Sequence, residues 1–515
     1  MITRSAWGLV LVVSVAACGG GGGGGPGAGG NGAGGGGGSS GGGGSSGGGG
    51  SSGGGGSSGG GTGGAPPPPP ACGSQPFQPP TGGQSYYVAP TGSDSAAGTM
   101  AAPFRTLEHA AGEAGAGDVV YMRDGVYKQS EDFEASGAAG NPVVFMAMPG
   151  EHPILDGAGL GLDDKDSVLQ IKFSQHVVVA GLEIRNSDGR GVQLIDAEDV
   201  TIRDCIIHDT AQKALGLNGH GVVAEGNVIY NSGLAYSSST AGSGWAASVT
   251  TQLLEDGSYP TDIVFRGNSV HNVWGECITA LFVEGITIVG NEFRDCYSVG
   301  VYINNSRSVR VEGNVFRAID PAYRRKDSGK VFDGILLASE HSDGPDFSAT
   351  DVVIANNLLL GTYTGVAWWD DDSNARASNS YQRVQIVSNV VWGSVQSAIS
   401  FEKVPAGRTA PNGAVLANNI LFDSEDGDSV QVADMGAWTI TNNLFPDGKP
   451  SAAADASNIA GDPQLTAPAL TALPDAFKPS AASPARHAGK PVAAVPLDFA
   501  CATRGTSDTT IGAFE

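Results

Sequence analysis

The chain has 515 residues, with 28 basic and 52 acidic side chains and a formal net charge of −24 at pH 7. Such a charge excludes a nucleic acid held by a basic surface. It also repels an acidic polysaccharide, unless a basic patch or bound cations reverse the sign locally. The six cysteines are irregularly spaced, which indicates neither a disulfide scaffold nor a zinc site, and Cys205 falls in a strand-rich repeat where burial is expected.

The N-terminus has the pattern of an export signal. Arg4 precedes an apolar stretch that ends at Ala17 and is shorter than the roughly 20 residues of a membrane span. The stretch closes with VAAC, which resembles the lipobox of bacterial lipoproteins, at which the signal is cut and the cysteine is acylated. We therefore expect residues 1–17 to be a signal peptide and Cys18 to be the lipidated N-terminus, which would anchor the protein to a membrane. The alternative is an ordinary secretory signal in which Cys18 is incidental.

A low-complexity segment follows the predicted anchor. Residues 19–64 are almost entirely Gly and Ser, and five consecutive prolines, Pro66 to Pro70, come after them. Such a composition offers no apolar surface to offset the entropy lost on ordering. We predict a disordered tether over residues 18–85, with a reach of about 40 Å for a Gly-rich coil of this length.

A short motif recurs along the rest of the chain. Its form is V-x-I-x-x-N followed by an apolar strand, and uninterrupted copies are about 22 to 24 residues apart. Within each copy apolar and polar residues alternate, as in strands that are buried on one side. One aligned position is occupied by the following residues: Leu182, Cys205, Asn227, Asn268, Asn291, Asn314, Asn357, Asn389, Asn419 and Asn443.

This period predicts a solenoid of stacked β-coils. Leucine-rich repeats need a Leu-dominated pattern and propeller blades are roughly 40 residues or longer, so neither fits. Short strands with Asn at one corner bury their apolar side only by stacking coil on coil. Asn tolerates the left-handed conformation and its amide can bond to the next coil, so we expect Asn291 and Asn314 to stack at one corner.

Both flanks of the repeat resemble a known superfamily. The stretch YYVAPTGSDSAAGTMAAPFRTLEHAAGEAGAGDVVYMRDGVY, from Tyr86, is similar to the opening segment of bacterial pectate-lyase-like β-helix proteins. SPARHAG, from Ser483, and the terminal IGAFE are similar to their closing coils. The resemblance implies an all-β, right-handed parallel β-helix over residues 86–515 with a short N-terminal capping helix. That superfamily includes lyases, hydrolases, epimerases and non-catalytic proteins, so the fold does not settle the function.

The strand that follows each Asn corner offers candidate binding residues, because ligands of this superfamily commonly lie along one outer sheet. Its second and fourth residues are apolar, apart from Ala280, and the third and fifth should be exposed. These two outward lanes contain four candidate substrate-binding residues: Tyr302, Asn304, Trp369 and Glu402. At the sixth position Asp370 and Lys403 should be neighbours, either as a plain ion pair or with Lys403 as a catalytic base.

An acidic run lies beside these lanes. Asp370, Asp371 and Asp372 follow two tryptophans, Trp368 and Trp369, and are candidate calcium ligands beside a sugar-stacking surface. The alternative is a solvated acidic turn. Calcium-dependent lyases of this fold carry Asp-Asp-Gly-x-Asp, whereas this chain has Asp-Asp-Asp-Ser-Asn, so their ligand and catalytic assignments are not carried over.

A second candidate cluster lies in the insertion after Asn314. Arg325 and Lys326 are candidate substrate-binding residues, and Lys330 and Asp333 are candidate catalytic residues. Polyuronate β-elimination requires a cation near the substrate carboxylate and a Lys or Arg base. The alternative is a charged surface loop held by salt bridges.

Two classes of function remain open. The first is a monomeric cell-surface or outer-membrane enzyme that degrades an anionic polysaccharide by β-elimination, with glycoside hydrolysis kept open by Asp333, Asp370 and Glu402. The second is a non-catalytic glycan-binding or structural surface protein. The sequence predicts polysaccharide and membrane as partners and calcium as the candidate cofactor.

The predicted anchor is tested by replacing one atom. Cys18→Ser removes the acylated sulfur, so the variant should leave the membrane fraction for the soluble one. Membrane fractionation of both proteins measures this. Equal membrane retention would show that Cys18 is not the anchor.

Overall fold

Parallel β-strands of successive coils make three walls, two of which belong to one hydrogen-bonded sheet and the third to another. The computed structural model describes residues 77–237, 246–340, 348–369, 380–423 and 428–515, which belong to one compact unit, Pro67–Glu515. Residues 1–76, with Cys18, lie outside the described residues. So do Asp370, Asp371 and Asp372, and the lipid anchor and the calcium site therefore stay predictions.

We name the three walls face A, face B and face C, in the order in which each coil passes through them. Faces A and B belong to the same hydrogen-bonded sheet. One strand, Arg190–Arg203, continues around the corner from face A into face B. Face A contains the strands Glu131–Phe133, Ser167–Lys172, the first half of Arg190–Arg203, Leu215–His220, Ala247–Thr250, Glu276–Leu281, Val299–Asn304, Asp333–Ala338, Thr364–Trp368, Ser397–Phe401 and Val430–Val432.

Face B follows face A in each coil and also includes the first strands of the chain. Its strands are Ser85–Val88, Val119–Met122, Val143–Ala147, Gln175–Ala180, the second half of Arg190–Arg203, Val223–Glu225, Thr261–Arg266, Glu284–Val289, Arg307–Glu312, Ala349–Ala355, Tyr381–Val387, Ala414–Ala417 and Trp438–Thr441.

Face C closes each coil. Its strands are Gly125–Tyr127, Pro153–Asp156, Glu183–Ser187, Ile206–Thr210, Val228–Ser232, Ser269–Val273, Glu292–Cys296, Val315–Arg317, Leu358–Leu360, Val390–Ser394, Ile420–Asp423, Leu444–Phe445 and Ile459–Ala460. Short 3-10 turns lie at Leu234–Tyr236, Pro321–Tyr323, Met435–Ala437, Ser451–Ala453 and Pro474–Phe477.

Alternation along the strands creates the interior. In Val299–Asn304, for example, Val301 and Ile303 are completely buried and point into the coil. Equivalent side chains of successive coils stack into one continuous apolar core. The expected capping helix is Leu107–Glu113, whose buried Leu107 and Ala110 join that core, and Thr106 caps it by accepting from the His109 amide at 3.1 Å. The predicted all-β, right-handed parallel β-helix is confirmed.

The corner asparagines form a continuous hydrogen-bonded ladder. The Asn291 side-chain amide donates to Asn314 Oδ1 at 2.9 Å and to the Phe265 carbonyl at 2.9 Å, and Asn314 Oδ1 also accepts from the Asn291 backbone amide. The pattern continues from Asn227 to Asn443 and extends one step further, to Asn458. The predicted stacking of Asn291 on Asn314 is confirmed. Each amide in the ladder is fully used although it is completely buried.

The left-handed residue of the corner is not the ladder asparagine, contrary to our expectation. It is the residue before it, which is Gly in the coils at Gly290 and Gly313 and Asn in later coils, such as Asn356 and Asn418. In those later coils the side chain of this residue points outward. Asn356 donates to the Leu497 carbonyl at 2.8 Å and Asn418 to the Lys490 carbonyl at 2.7 Å.

These bonds fasten a C-terminal segment, residues 461–515, over two of the faces. On face C it packs apolar residues such as Phe477 and Phe514 against outward Leu358 and Val390. On face B it packs Val495 against outward residues of the last coils. Near the N-terminus, Phe77 lies over outward residues of face B and under the Arg203 guanidinium, 4.7 Å from the ring centroid. In the described part of the chain these terminal packing contacts fall on faces B and C.

The cysteines are used differently from the sequence expectation. Cys277 and Cys296 form a buried disulfide across the interior of one coil, between a face A strand and the end of a face C strand. Cys501 is also disulfide-bonded. Cys205 is a buried free thiol, as expected. The spacing gave no signal because the bridge depends on where the strands turn inward. Within the described ranges, no helix has the length and apolarity of a membrane span.

The Asn ladder carries a stability prediction. Asn314→Ala leaves buried donors and acceptors without partners, so the free energy of unfolding should fall by about 1 to 3 kcal/mol. Urea unfolding of the purified protein measures the loss. Asn141→Ala is the matched control, because Asn141 is exposed and should change stability by less than about 0.5 kcal/mol. Equal stability of both variants would contradict the role of the ladder.

Candidate active site on face A

The outward residues of face A lie in lanes that run along the helix axis. The strand register aligns Arg190 with Ser167, and Ala247 with Glu276. Leu215 pairs with Val192 and with Val249, which places Lys213 between Arg190 and Ala247. Each residue of this series comes directly before the residue that turns inward at the start of face A, and we call the series lane 1. It contains Ser167, Arg190, Lys213, Ala247, Glu276, Val299, Asp333, Thr364 and Ser397.

Lane 1 carries two adjacent cations, Arg190 and Lys213, on successive coils. The Lys213 ammonium nitrogen is buried, and no residue in the described part of the chain forms a hydrogen bond with it. Burial, with a smaller contribution from Arg190, lowers the pKa of Lys213 to about 7. Burial also lowers the pKa of Arg190, against the opposing effect of Asp163, Asp164 and Asp166. The amine of Lys213 is therefore able to exchange a proton near neutral pH.

A 3-10 turn, Leu234–Tyr236, borders these two cations. The Tyr236 hydroxyl donates to Gln212 Oε1 at 2.9 Å, next to Lys213 in the chain. Burial raises the pKa of Tyr236, and Arg190 lowers it. Tyr236 thus stays a neutral hydrogen-bonding group beside the cationic pair.

An acidic and aromatic group lies further along face A, which we call the Glu340 cluster. It consists of Glu276, Thr279, Tyr302, Asn304, Glu340 and Trp369. The Tyr302 hydroxyl donates to Glu340 Oε2, and the Asn304 side-chain amide donates to the same oxygen at 3.0 Å. Asn304 also accepts from the Glu340 backbone amide at 3.2 Å. These bonds fix the Glu340 carboxylate over the sheet.

Glu276 lies one coil before Tyr302 and is buried. Thr279 donates its hydroxyl to Glu276. Burial raises the pKa of Glu276 to about 8, and the charge of Glu340 contributes to the rise. Burial and Glu340 also raise the pKa of Tyr302 well above its ordinary value. At neutral pH the cluster therefore holds Glu276 and Tyr302 in their protonated forms.

The two predicted lanes are outward as expected, but they are less exposed. Tyr302 is 4% and Asn304 2% exposed, because they pack with outward Leu336, Ala367 and the partly buried Trp369. Glu402 is exposed. Trp368 is completely buried in the core, 5.3 Å from the Tyr381 ring centroid, so it offers no stacking surface. The indole points inward because strand alternation sets opposite directions for Trp368 and Trp369.

The basic insertion is mostly engaged within the protein. Arg325 donates to Asp333 Oδ2 at 2.9 Å and to the Ser298 carbonyl at 3.0 Å. The Lys326 ammonium bonds to the Ser237 carbonyl and lies 5.1 Å from the Trp274 ring centroid. Lys330 lies 4.2 Å from the Tyr363 ring centroid. Arg325 and Asp333 are side by side at face A, whereas Lys326 ties its loop to the turn that carries Tyr236.

Lys403 is 75% exposed in its side chain and lies 3.7 Å from Asp434. Its predicted neighbour, Asp370, is outside the described residues. The structure therefore brings Tyr302, Asn304 and Trp369 together, and it places Lys403 at the exposed edge with Asp434.

Four residues of this face were missed by the sequence analysis: Arg190, Lys213, Glu276 and Glu340. In the sequence pattern the copies of this strand begin at Gly191, Ala214 and Cys277, which leaves out the outward residue that precedes each of them. Those first residues are small because they turn inward at the corner; a Cβ on Gly300, for example, would lie 2.7 Å from the Phe316 ring. The residue before each is outward, and the charges there were a usable signal.

In the described ranges no three Asp, Glu, His or Cys side chains are arranged to hold one ion. The candidate calcium ligands Asp370, Asp371 and Asp372 lie outside those ranges.

Comparison with known proteins agrees with this architecture. The profile described as Pel9A-like, right handed beta helix region, matches residues 86–252, and a right handed beta helix region profile matches residues 247–382. The first match includes the cationic pair of lane 1, and the second includes the Glu340 cluster.

Two sequence relatives and one solved structure are similar to the chain. The uncharacterised protein YwoF of Bacillus subtilis is 21% identical over 345 residues, which cover 65% of this chain and 67% of that protein. Pectate lyase PEL9 of Emericella nidulans is 35% identical over 120 residues, 21% of this chain and 29% of the fungal protein. XylC, solved in complex with xylose, is 14% identical with a TM-score of 0.53, covering 74% of this chain and 87% of that one, a likeness of fold alone. With its three parallel faces and Asn-bonded coils, the chain belongs to the pectate-lyase-like superfamily of right-handed parallel β-helix proteins.

Proposed function

We propose that this protein is a polysaccharide lyase that cleaves an anionic glycan by β-elimination on face A, with Lys213 as base. The observation that carries the proposal is the buried Lys213 amine, which has no hydrogen-bond partner among the described residues and a pKa of about 7 beside Arg190. A general base works best when its pKa is near the working pH. The alternative bases Lys403 and Lys330 have less suitable surroundings, since one is exposed and the other lies on an aromatic ring.

The two cations of lane 1 supply complementary functions. The Arg190 guanidinium binds the uronate carboxylate and stabilises the negative charge that develops when the neighbouring C5 proton is removed. Neutral Lys213 takes that proton. The electron pair forms the C4=C5 double bond, the C4–O bond breaks, and the leaving oxygen takes a proton from solvent. The products are an unsaturated uronate end and a new reducing end.

Similarity to known proteins supports the substrate class. The profile match over residues 86–252 carries the Pel9A-like description, and the partial relative from Emericella nidulans is a pectate lyase. That alignment covers a minor part of the fungal protein. An anionic carbohydrate substrate thus agrees with both the relatives and the cationic pair of lane 1, although the chain as a whole is acidic.

Glycoside hydrolysis is the second candidate. It is favoured by the paired carboxyl groups of the Glu340 cluster, where Glu276 is protonated at neutral pH beside Glu340. Hydrolysis needs one acid and one carboxylate across the glycosidic bond. The two reactions differ in their products, because both create reducing ends but only elimination creates unsaturation. A non-catalytic glycan-binding protein would create neither.

The location and the cofactor complete the proposal. Acylation at Cys18 would place the enzyme at the cell surface on a Gly-rich tether. Calcium at Asp370, Asp371 and Asp372 is the cofactor of the proposal, because carboxylate oxygens are its preferred ligands. Assays of polygalacturonate, alginate and neutral glycans with calcium, and separately with chelator, follow the absorbance of the unsaturated product and the reducing ends.

The base assignment is tested by two lysine variants. Lys213→Met keeps the apolar stem and removes the amine, so the rate of unsaturated product formation should fall by about 10²- to 10⁴-fold. Its melting temperature should stay equal or rise, because the variant no longer buries an amine. Lys403→Ala is the matched control and should retain activity. Loss of activity in the Lys403 variant alone would move the base to that lysine.

The pH dependence gives an independent check. Only the neutral amine of Lys213 accepts a proton, so kcat/KM should rise with pH through about 7 and then level off. The pKa of Lys213 in the folded protein is below the ordinary lysine value of about 10.4. Between about pH 7 and pH 10 the unfolded chain therefore binds more protons at this group, and the free energy of unfolding rises with pH. A rate that falls across pH 6 to 8 would contradict a lysine base and favour the carboxyl pair.

A further inference from the structure

Face A carries opposite charge at two places along its axis. The cationic pair, Arg190 and Lys213, occupies adjacent coils. Glu276 lies two coils beyond Lys213 in lane 1, and Tyr302 is on the next coil. With coils about 4.8 Å apart, Glu276 lies roughly 10 Å from Lys213 along the axis, whereas Glu340 and Trp369, four and five coils beyond Lys213, lie roughly 19 and 24 Å away. A glycan lying along the face would therefore contact both places at once.

The Glu340 cluster is unsuited to a carboxylate. Glu276 is kept protonated by burial and by the charge of Glu340, so the surroundings already disfavour a second negative charge. Arg325, the cation that acts on Glu276, is bonded to Asp333. A uronate carboxylate at this place would add a further negative charge in a poorly solvated site.

The same cluster is suited to an uncharged sugar. Glu340 and Trp369 are its partly exposed members, while Tyr302, Asn304 and Glu276 lie beneath them. Sugar hydroxyls donate well to a carboxylate that is already oriented by two donors. The indole of Trp369, packed with apolar Leu336 and Ala367, offers a surface for the C–H face of a sugar ring. The cluster combines a fixed acceptor with an apolar platform.

We infer that the Glu340 cluster is a binding subsite for a neutral sugar unit, so that the substrate is a mixed glycan with uronate at Lys213 and neutral units further along face A. The inference rests on the proposed lyase function, because the uronate position is assigned from Lys213 and Arg190. A fully charged polyuronate binds at Arg190 and Lys213 but is repelled at the Glu340 cluster.

The test compares forms of one polymer that differ in their number of charged carboxyl groups. Polygalacturonate is compared with the same polymer after graded chemical reduction of its carboxyl groups to neutral sugar units. Retardation in affinity gels measures binding, and absorbance of the unsaturated product measures cleavage. Wild-type protein should prefer partly reduced polymer over the fully charged one. Glu340→Gln keeps the size of the side chain and removes its charge, and should narrow this preference by about three- to tenfold.

Two control variants separate the possible outcomes. Glu284→Gln removes the same charge from face B, where Glu284 pairs with Arg307 at 2.6 Å, and should leave the preference unchanged. Strongest binding of the fully charged polymer, or an unchanged preference in Glu340→Gln, would overturn the neutral subsite. Cleavage that survives in Lys213→Met would show that Lys213 is not the base. The binding preference would still test the neutral subsite in that case. Absence of both binding and cleavage for every polymer would overturn both.

Discussion

Each coil in the Asn-bearing part of this protein depends on one buried amide. An asparagine in a purely apolar interior would be costly, because its side chain has two donors and two acceptor positions to satisfy. Here the next asparagine and the backbone of adjacent coils supply these partners, as shown by the bonds of Asn291 to Asn314 and to the Phe265 carbonyl. The ladder therefore fixes the register of one coil on the next. A shift of one residue would break the amide bonds and also turn apolar side chains outward.

A fixed register has a consequence for chemistry. Equivalent residues of successive coils form straight lanes, so that distant parts of the sequence become neighbours. Arg190 and Lys213 meet in this way, and Tyr302 meets Glu340, which follows the strand of the next coil. Arg190 and Tyr302 lie within strands, and Lys213 and Glu340 each lie two residues from the end of one, so the sheet positions all four. Insertions such as residues 318–332 change the walls of the face without changing the lanes.

The three faces are made different by what covers them. Apolar outward residues on face C pack under the C-terminal segment, and Asn356 and Asn418 fasten that segment by bonds to its carbonyl groups. The buried charges of face C include Glu292 and Arg317, which form an ion pair at 3.2 Å, whereas on face A the buried amine of Lys213 has no hydrogen-bond partner among the described residues. Burying the amine of Lys213 and the carboxyl of Glu276 destabilises their charged forms, which is a cost without benefit for folding alone. Groups of this kind are concentrated at functional sites, which is why face A is the place for the proposed chemistry.

The sequence by itself determined the solenoid. Alternating apolar residues, a repeated corner asparagine and a short period permit few other ways to bury the apolar side, so the β-helix and the stacking of Asn291 on Asn314 were predictable. The capping helix followed from the resemblance of the opening segment to pectate-lyase-like proteins. The sequence also showed that Tyr302, Asn304 and Trp369 point outward on one face, because side-chain direction alternates strictly along a strand. Only the tertiary structure decided where each strand turns its corner, and hence that Lys213 and Glu276 point outward and that Cys277 and Cys296 meet. It also decided which charges are buried, since the pKa values of Lys213 and Glu276 depend on neighbours far away in the chain. Local pattern sets the direction of a side chain, whereas its solvation and its partners come from coils and segments that only folding brings together.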